Sequence, residues 1–219
     1  MPRPPFFGIN PLLEMALTLI VIIICLLIYF RTKDLYELSL HKGIKYFRFA
    51  FLFFAFAFAL RFIFPITMFL FNERLFRSYT GFLMTFVGMM AILCILYSLL
   101  WKKLDSKNNF YIIISIAIII SFITTILRVG FLILSFQIIL FILIVIISYW
   151  DSFKSRKRKK YFKLSFLYTL LFFAWFFDIT SHFAFMFSLN TKLTFNIISI
   201  CLFLIIYYKV YQKTKVKKK

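Results

Sequence analysis

Long apolar runs follow one another from Pro11 to Tyr208, and only short polar stretches separate them. Hydrophobic residues make up 63% of the 219-residue chain, and its mean hydropathy is +0.96. The polar interruptions are too short to form a soluble domain. Because about 20 apolar residues suffice to cross the roughly 30 Å hydrocarbon core of a bilayer, the pattern indicates an integral membrane protein.

The apolar runs divide into seven segments of spanning length, which predicts an all-α polytopic bundle within a single membrane domain, residues 1–219. The fourth and fifth segments are nearly continuous, and one helix over residues 110–150 would run about 62 Å, twice the bilayer core. We therefore expect a tight hairpin at Arg128–Gly130. The predicted spans are residues 11–30, 46–65, 79–100, 110–127, 130–150, 161–183 and 191–208, followed by a basic tail at residues 209–219.

Basic residues are concentrated at one set of segment ends. Of the 27 lysine and arginine residues, 21 flank spans on one side, five lie on the other side, and Arg61 lies inside a span. The positive-inside rule places the basic side in the cytoplasm, so the N-terminus is expected outside and the C-terminus inside. This alternation requires seven spans. Since the positive flank of the first span follows it, we expect that span to be retained and not cleaved as a signal peptide.

The same charges predict the partners. A net charge of +20 can favour nucleic acid, but these residues flank membrane segments, where they set topology and contact anionic headgroups. We expect the lipid bilayer and anionic inner-leaflet lipids as partners, and no nucleic acid; a protein partner on the cytoplasmic loops stays open. The residues expected at lipid headgroups are Lys154, Arg156, Lys157, Arg158, Lys159, Lys160, Lys217, Lys218 and Lys219.

A few ionisable and amide side chains lie inside the predicted spans, where they are costly and need a reason. Counting along the helices places Arg61 about 22 Å and Asp178 about 25 Å above the cytoplasmic ends of their spans. His182 follows Asp178 by four residues and shares its helix face. We expect these side chains in the outer third of the bundle. The candidate ligand-binding residues are Glu14, Arg61, Gln137, Asp178, His182 and Asn196.

Two interpretations of this cluster stay open. Arg61 can pair with Asp178, which matches it in depth, so that a hydrogen-bonded network fixes helix register without chemistry. The other interpretation is an outward-facing polar pocket for a small ligand or a proton. Glu14 is closer to water and can remain unpaired. A metal site is disfavoured, because only one histidine is present here and Arg61 opposes a cation.

Known catalytic and cofactor signatures are missing from the sequence. A retinal protein needs a lysine deep in its last helix, and residues 196–208 contain none. The HxxxH pair of seven-helix zinc hydrolases and the GxSxG or diacidic site of intramembrane proteases are also missing. Cys25, Cys94 and Cys201 lie inside spans without a CxxC motif and are interpreted as small apolar residues. We therefore expect no enzyme activity, no metal and no cofactor.

Several individual residues predict where helices turn, bend or pack closely. The first helix is expected to extend beyond Phe30 and to turn near Lys42–Gly43. Pro65 can kink or end the second helix. Gly81 and Gly88, seven residues apart, offer close helix contacts. Dense phenylalanine in the second and sixth spans favours packing and lipid contact over a stacking pocket.

The segment HKGIKYFRFAFLFFAFAFALRF, His41–Phe62, resembles the first loop and second helix of prokaryotic seven-helix sensor-type membrane modules, including uncharacterised archaeal ones. The resemblance carries no site residues over. In those modules an output domain usually follows the helices. Because this sequence ends at Lys219, the resemblance implies signalling through a separate partner protein.

We therefore expect a multi-pass protein of the cell membrane that acts as a sensor-like or partner-binding module through an outer polar pocket. The alternatives are a small transporter or channel subunit and a structural subunit of a membrane complex. A transporter needs a polar path to the cytoplasmic side. Residues 17–27, 131–147 and 197–206 are almost purely apolar in their inner halves, which favours a one-sided pocket.

The expected orientation can be tested by thiol labelling in intact cells. Single cysteines at Asn10 and Thr214 should differ, because only the first is expected outside. An impermeant reagent should label the cysteine at Asn10 and leave the one at Thr214 unmodified. Labelling at Thr214 with none at Asn10 would overturn the orientation.

Overall fold

The computed structural model describes residues 11–71, 74–101, 109–127, 130–154, 158–183 and 189–217. Side chains are described over residues 13–37, 40–64, 79–101, 110–126, 135–154, 165–181 and 190–214. The described residues form seven α-helices. They are α1 (Pro11–Ser39), α2 (Lys42–Phe71), α3 (Arg74–Leu100), α4 (Asn109–Leu127), α5 (Gly130–Lys154), α6 (Arg158–Phe183) and α7 (Leu189–Lys217).

The helices extend beyond several of the apolar segments. α1 continues to Ser39, and α7 continues to Lys217, so most of the predicted basic tail is helical. α2 also passes through Pro65 without ending. The expected break between the fourth and fifth helices is present, since α4 ends at Leu127 and α5 begins at Gly130; residues 128–129 lie outside the described part.

Five of the helices are long and apolar enough to cross a membrane, counted over the residues with described side chains. The described parts of α4 and α6 are apolar but shorter. The five segments are Leu13–Glu37, Lys42–Phe64, Tyr79–Leu100, Ser135–Lys154 and Asn190–Thr214; the two shorter ones are Phe110–Ile126 and Ser165–Ser181.

Six helices pack in a ring, and α4 lies outside it. α1 contacts α2 and α7, α3 contacts α2 and α5, and α6 contacts α5 and α7; α4 packs mainly on α3. Aromatic side chains from α2 and α6 fill the middle. The Trp175 ring centroid lies 4.9 Å from that of Phe54 and 5.9 Å from that of Phe58. Phe51, Phe54 and Phe203 are fully buried beside them, so these rings serve as core packing.

The outer surface of the bundle is apolar as well. On α4, Ile119 is 56% exposed and Ile126 is 62% exposed, and on α5 the exposed fraction of Ile146 is 60%. A helix that packs on a water-soluble core normally turns polar residues outward. An apolar exterior over an apolar core is the pattern expected for contact with lipid.

The turn between α1 and α2 lies at Leu40–His41 and not at Lys42–Gly43 as predicted. Leu40 has a φ of 47°, which ends α1 in the left-handed region. Its N–H donates to the Tyr36 carbonyl at 2.7 Å. Gly43 instead lies in the first turn of α2, where it serves helix packing.

Glycine allows close contact at only some of the expected places. A Cβ at Gly43 would lie 2.9 Å from the Ser98 carbonyl oxygen and 2.9 Å from Cδ1 of Trp101. A Cβ at Gly88 would lie 3.2 Å from Gln137 Nε2, whereas a Cβ at Gly81 would have no heavy atom within 4 Å among the described residues. The prediction of close packing was therefore wrong for Gly81.

These contacts predict opposite effects for two matched substitutions. Gly43→Ala should destabilise the protein by about 1–3 kcal/mol, because the backbone of α3 must move to admit the methyl group. Gly81→Ala should be neutral or stabilise by up to about 1 kcal/mol, because alanine favours a helix and meets nothing there. Thermal unfolding in detergent checks both, and equal shifts would contradict the packing described for Gly43.

Candidate functional site at the ion-pair end of the bundle

Arg61 of α2 and Asp178 of α6 form an ion pair inside the bundle. Nη1 of Arg61 donates to Oδ2 of Asp178 at 2.7 Å, and the two side chains are 12% and 10% exposed. Arg61 follows Phe54 and Phe58 at helical spacing, so it continues the buried face of α2. Two residues 117 positions apart are thus joined as their matching depths suggested.

A small pocket lies beside this ion pair, among α1, α2, α6 and α7. Its volume is about 10 Å³, which is close to the minimum that holds one water molecule. Polar groups from all four helices reach it. The lining residues are Leu17, Thr18, Val21, Phe58, Arg61, Asp178, Asn196, Ser199 and Ile200.

Hydroxyl and amide groups join α6 to α7 at the same level. Ser181 Oγ donates to Oδ1 of Asn196 at 2.6 Å and lies 2.7 Å from the Asp178 carbonyl oxygen. Ser199 Oγ donates to the Ala174 carbonyl at 2.9 Å. Asn196 is therefore held by α6, and it brings one amide into the pocket wall.

A second ion pair joins α1 to α7. Lys192 Nζ lies 3.0 Å from Glu14 Oε2, and the two side chains are 25% and 28% exposed. The sequence interpretation allowed Glu14 to remain unpaired and did not include Lys192 in the site. A signal for this pair was present, because opposite charges occur near the starts of α1 and α7, which lie at the same end of the bundle. We refer to the end that carries both pairs as the ion-pair end.

Of the six predicted site residues, Arg61, Asp178 and Asn196 line the pocket. Glu14 lies in the second ion pair, and Gln137 and His182 contribute no described side chain to the pocket lining. Gln137 is buried on α5 beside Gly88 and Trp175, on the other side of the aromatic core. The indole N–H of Trp175 is buried there with no hydrogen-bond acceptor among the described residues. His182 belongs to the last turn of α6, and its side chain lies outside the described part.

Buried hydroxyl groups also occur nearer the opposite end, but apolar side chains separate them from the pocket. Ser98 Oγ lies 3.0 Å from the Tyr168 hydroxyl, and Ser148 Oγ donates to Ser165 Oγ at 2.9 Å. Tyr168 lies ten residues before Asp178 on α6, a rise of about 15 Å. The fully buried residues at the intervening level include Phe51, Phe54, Leu171 and Phe203.

The basic residues predicted at lipid headgroups lie at the opposite end, as far as the structure describes them. Lys154 is exposed at the end of α5. Arg158, Lys159 and Lys160 form the first turn of α6, and Lys217 ends α7, with side chains outside the described part. Arg156, Lys157, Lys218 and Lys219 lie outside the described residues altogether.

Comparison with known proteins finds a relative in the archaeon Archaeoglobus fulgidus. This uncharacterized protein is 31% identical over 205 residues, an alignment that covers 89% of each chain. The present chain belongs to the same family. No protein-family model and no solved structure matches the chain.

The relative is itself uncharacterized, so the site is interpreted by its own chemistry. At the pocket, Asp178 offers a carboxylate that is already neutralised by the guanidinium of Arg61. Thr18, Asn196 and Ser199 add neutral donors and acceptors. Among the described side chains, no three His, Cys, Asp or Glu residues come together as a metal site. The arrangement is suited to hydrogen bonding and charge pairing.

The Arg61–Asp178 pair can be measured by a double-mutant cycle on thermal stability in detergent. Asp178→Leu alone should cost about 3 kcal/mol, because it leaves a guanidinium unpaired in a desolvated site. Adding Arg61→Leu should recover part of that loss. Additive losses would show that the residues do not interact.

The second ion pair supplies the matched control for this cycle. Glu14→Leu and Lys192→Leu should show a coupling energy below about 1 kcal/mol, because both side chains are more exposed and are partly solvated. A coupling as large as that of Arg61 and Asp178 would mean that exposure does not set the strength of these pairs.

Proposed function

We propose that this protein is a non-enzymatic integral membrane protein whose seven helices all cross the bilayer. The apolar exterior of the bundle supports this placement. The full lengths of α4 and α6, whose described side chains form apolar segments shorter than a membrane span, also support it. α4 has 19 residues and α6 has 26, which correspond to about 28 Å and 39 Å. Both lengths are close to or above the thickness of a hydrocarbon core.

We propose further that the ion-pair end faces outside and the opposite end faces the cytoplasm of a cell membrane. The distribution of lysine and arginine along the sequence supports this orientation. The Glu14–Lys192 contact supports the odd number of passes that this orientation requires, because it places the starts of α1 and α7 at one end of the bundle. For the labelling experiment, Gln212 is a better cytoplasmic position than Thr214, since Thr214 is buried and Gln212 is exposed.

In this orientation the protein serves as a sensor-like or partner-binding module whose ligand or partner binds from the outside. The observation that carries the proposal is that two ion pairs hold four helices around one polar pocket. Arg61–Asp178 links α2 to α6, and Glu14–Lys192 links α1 to α7. A ligand or partner that replaces one member of a pair changes the balance between closed and open arrangements of these helices.

The size of the pocket limits what can bind. A volume of about 10 Å³ leaves room for a group the size of one water molecule. A larger ligand must therefore insert one small charged or polar group, or separate the helices. Arg61 favours a carboxylate or another anion as the inserted group, because it is the cation that would lose Asp178.

A small transporter or channel subunit is the second candidate, and the hydroxyl groups at the opposite end are the observation in its favour. Ser98, Tyr168, Ser148 and Ser165 would supply the cytoplasmic half of a polar path. The buried layer of Phe51, Phe54, Leu171 and Phe203 interrupts that path. The one-sided module therefore has the stronger support.

Cysteine accessibility separates the two functions. In a Cys201→Ala background, Thr18→Cys should react with a small impermeant thiosulfonate reagent added from outside, because Thr18 is half-buried at the pocket. The deeper control Ala174→Cys should be unreactive from both sides, since Ala174 is fully buried. Reaction of Thr18→Cys from the cytoplasmic side of inverted vesicles would support a through-path and overturn the one-sided module.

A further inference from the structure

Two arginines lie on tyrosine rings at the end of the bundle opposite the ion-pair end. The Arg48 guanidinium of α2 is 4.2 Å from the centroid of the Tyr29 ring of α1. The Arg31 guanidinium of α1 is 5.0 Å from the centroid of the Tyr211 ring of α7. Stacking on a ring orders the planar guanidinium and leaves its N–H edge available to an anion.

Neither arginine is neutralised by a neighbouring acid in the described part of the chain. The ion pairs that the structure describes there join other residues. Nε of Arg48 is buried and has no hydrogen-bond acceptor among the described residues. Of the acids on this part of α1, Glu37 lies 3.7 Å from Lys33, and Asp34 has an interaction of its own.

The two guanidinium groups lie at similar heights. Arg31 precedes the turn at Leu40 by nine residues, and Arg48 follows His41 by seven, which places them about 14 Å and about 10 Å from the turn. Lys45 is about one helical turn closer than Arg48 to the start of α2 and is exposed. This part of the bundle surface therefore combines three positive charges within about one and a half helical turns of height.

An apolar stripe runs up α1 between these charges. Ile23, Leu27 and Phe30 recur at helical spacing, and they are 48%, 41% and 61% exposed. Tyr29 and Arg31 are the immediate neighbours of Phe30 in sequence, so they project to either flank of the stripe, since successive helical residues are rotated by about 100°. In the proposed placement the stripe contacts hydrocarbon. The two arginines lie at the end of the stripe that is nearer to the turn at Leu40.

We propose that this face of α1 is a binding site for one phospholipid of the cytoplasmic leaflet. The lipid phosphate accepts hydrogen bonds from the terminal Nη groups of Arg48, and Arg31 and Lys45 add positive potential. An acyl chain lies along Ile23, Leu27 and Phe30. This inference rests on the proposed placement of the helices in a membrane, and it differs from diffuse attraction of basic segments because it assigns one lipid to one guanidinium.

Native mass spectrometry of the full-length protein in detergent tests the site, with the dissociation constant of the first bound lipid as the readout. Arg48→Gln should weaken binding of dioleoyl-phosphatidylglycerol by about fivefold, the factor that corresponds to roughly 1 kcal/mol for one basic residue. The matched control Lys209→Gln removes the same charge on the side of α7 that faces α6, where Lys209 lies over the Phe166 ring, and should leave the first dissociation constant unchanged. Dioleoylglycerol, which lacks the phosphate, should bind at least fivefold more weakly to the wild type.

Two results would overturn the proposal. Equal weakening by Arg48→Gln and Lys209→Gln would reduce it to general electrostatic attraction, and displacement of the lipid by inorganic phosphate would indicate a small-anion site instead. Arg48→Lys keeps the charge but loses the planar fork, so an intermediate loss is expected even if Arg48→Gln fails to fold. Specific binding combined with inverted thiol labelling would retain the site and reject only the proposed orientation.

Discussion

The desolvation of a permanently charged guanidinium is the constraint on which the arrangement of this bundle depends. Arginine cannot lose its charge in a protein, so inside an apolar environment it requires an anion. Arg61 meets that requirement through Asp178, and the 2.7 Å contact fixes α2 against α6 at one height and one rotation. Sliding either helix by one turn would separate the two charges and leave each without its partner among apolar side chains.

The remaining contacts follow from that register. With α2 and α6 aligned, Phe54 and Phe58 lie on Trp175 and close the middle of the bundle. α7 then brings Asn196 and Ser199 to α6, and α1 is tied to α7 through Glu14 and Lys192. The bundle therefore has three layers along its axis. Polar groups lie at the ion-pair end, an aromatic layer lies in the middle, and stacked arginines lie at the opposite end.

The two ends use arginine in different ways. Arg61 is enclosed and paired with a carboxylate, which suits a group that holds helices together. Arg31 and Arg48 stack on tyrosine at the bundle surface, where aromatic rings and long basic side chains commonly meet headgroups. The exposed surfaces of α4 and α5 are mostly apolar, as Ile119, Ile126 and Ile146 show, and carry no comparable arginine among the described residues.

The sequence by itself determined the helical, apolar character of the chain, because runs of about 20 apolar residues leave few alternatives in lipid. It also gave the break at Arg128–Gly130, where length forbids one helix, and the Arg61–Asp178 pair, where equal depth and opposite charge suffice. It did not separate Gln137 from the pocket or join Glu14 to Lys192. It also did not show that Gly43 packs on α3, whereas a Cβ at Gly81 would meet none of the described residues within 4 Å. These outcomes depend on which helices are neighbours and how each is rotated, and a uniformly apolar helix carries little periodic signal for rotation. Only tertiary packing decided them.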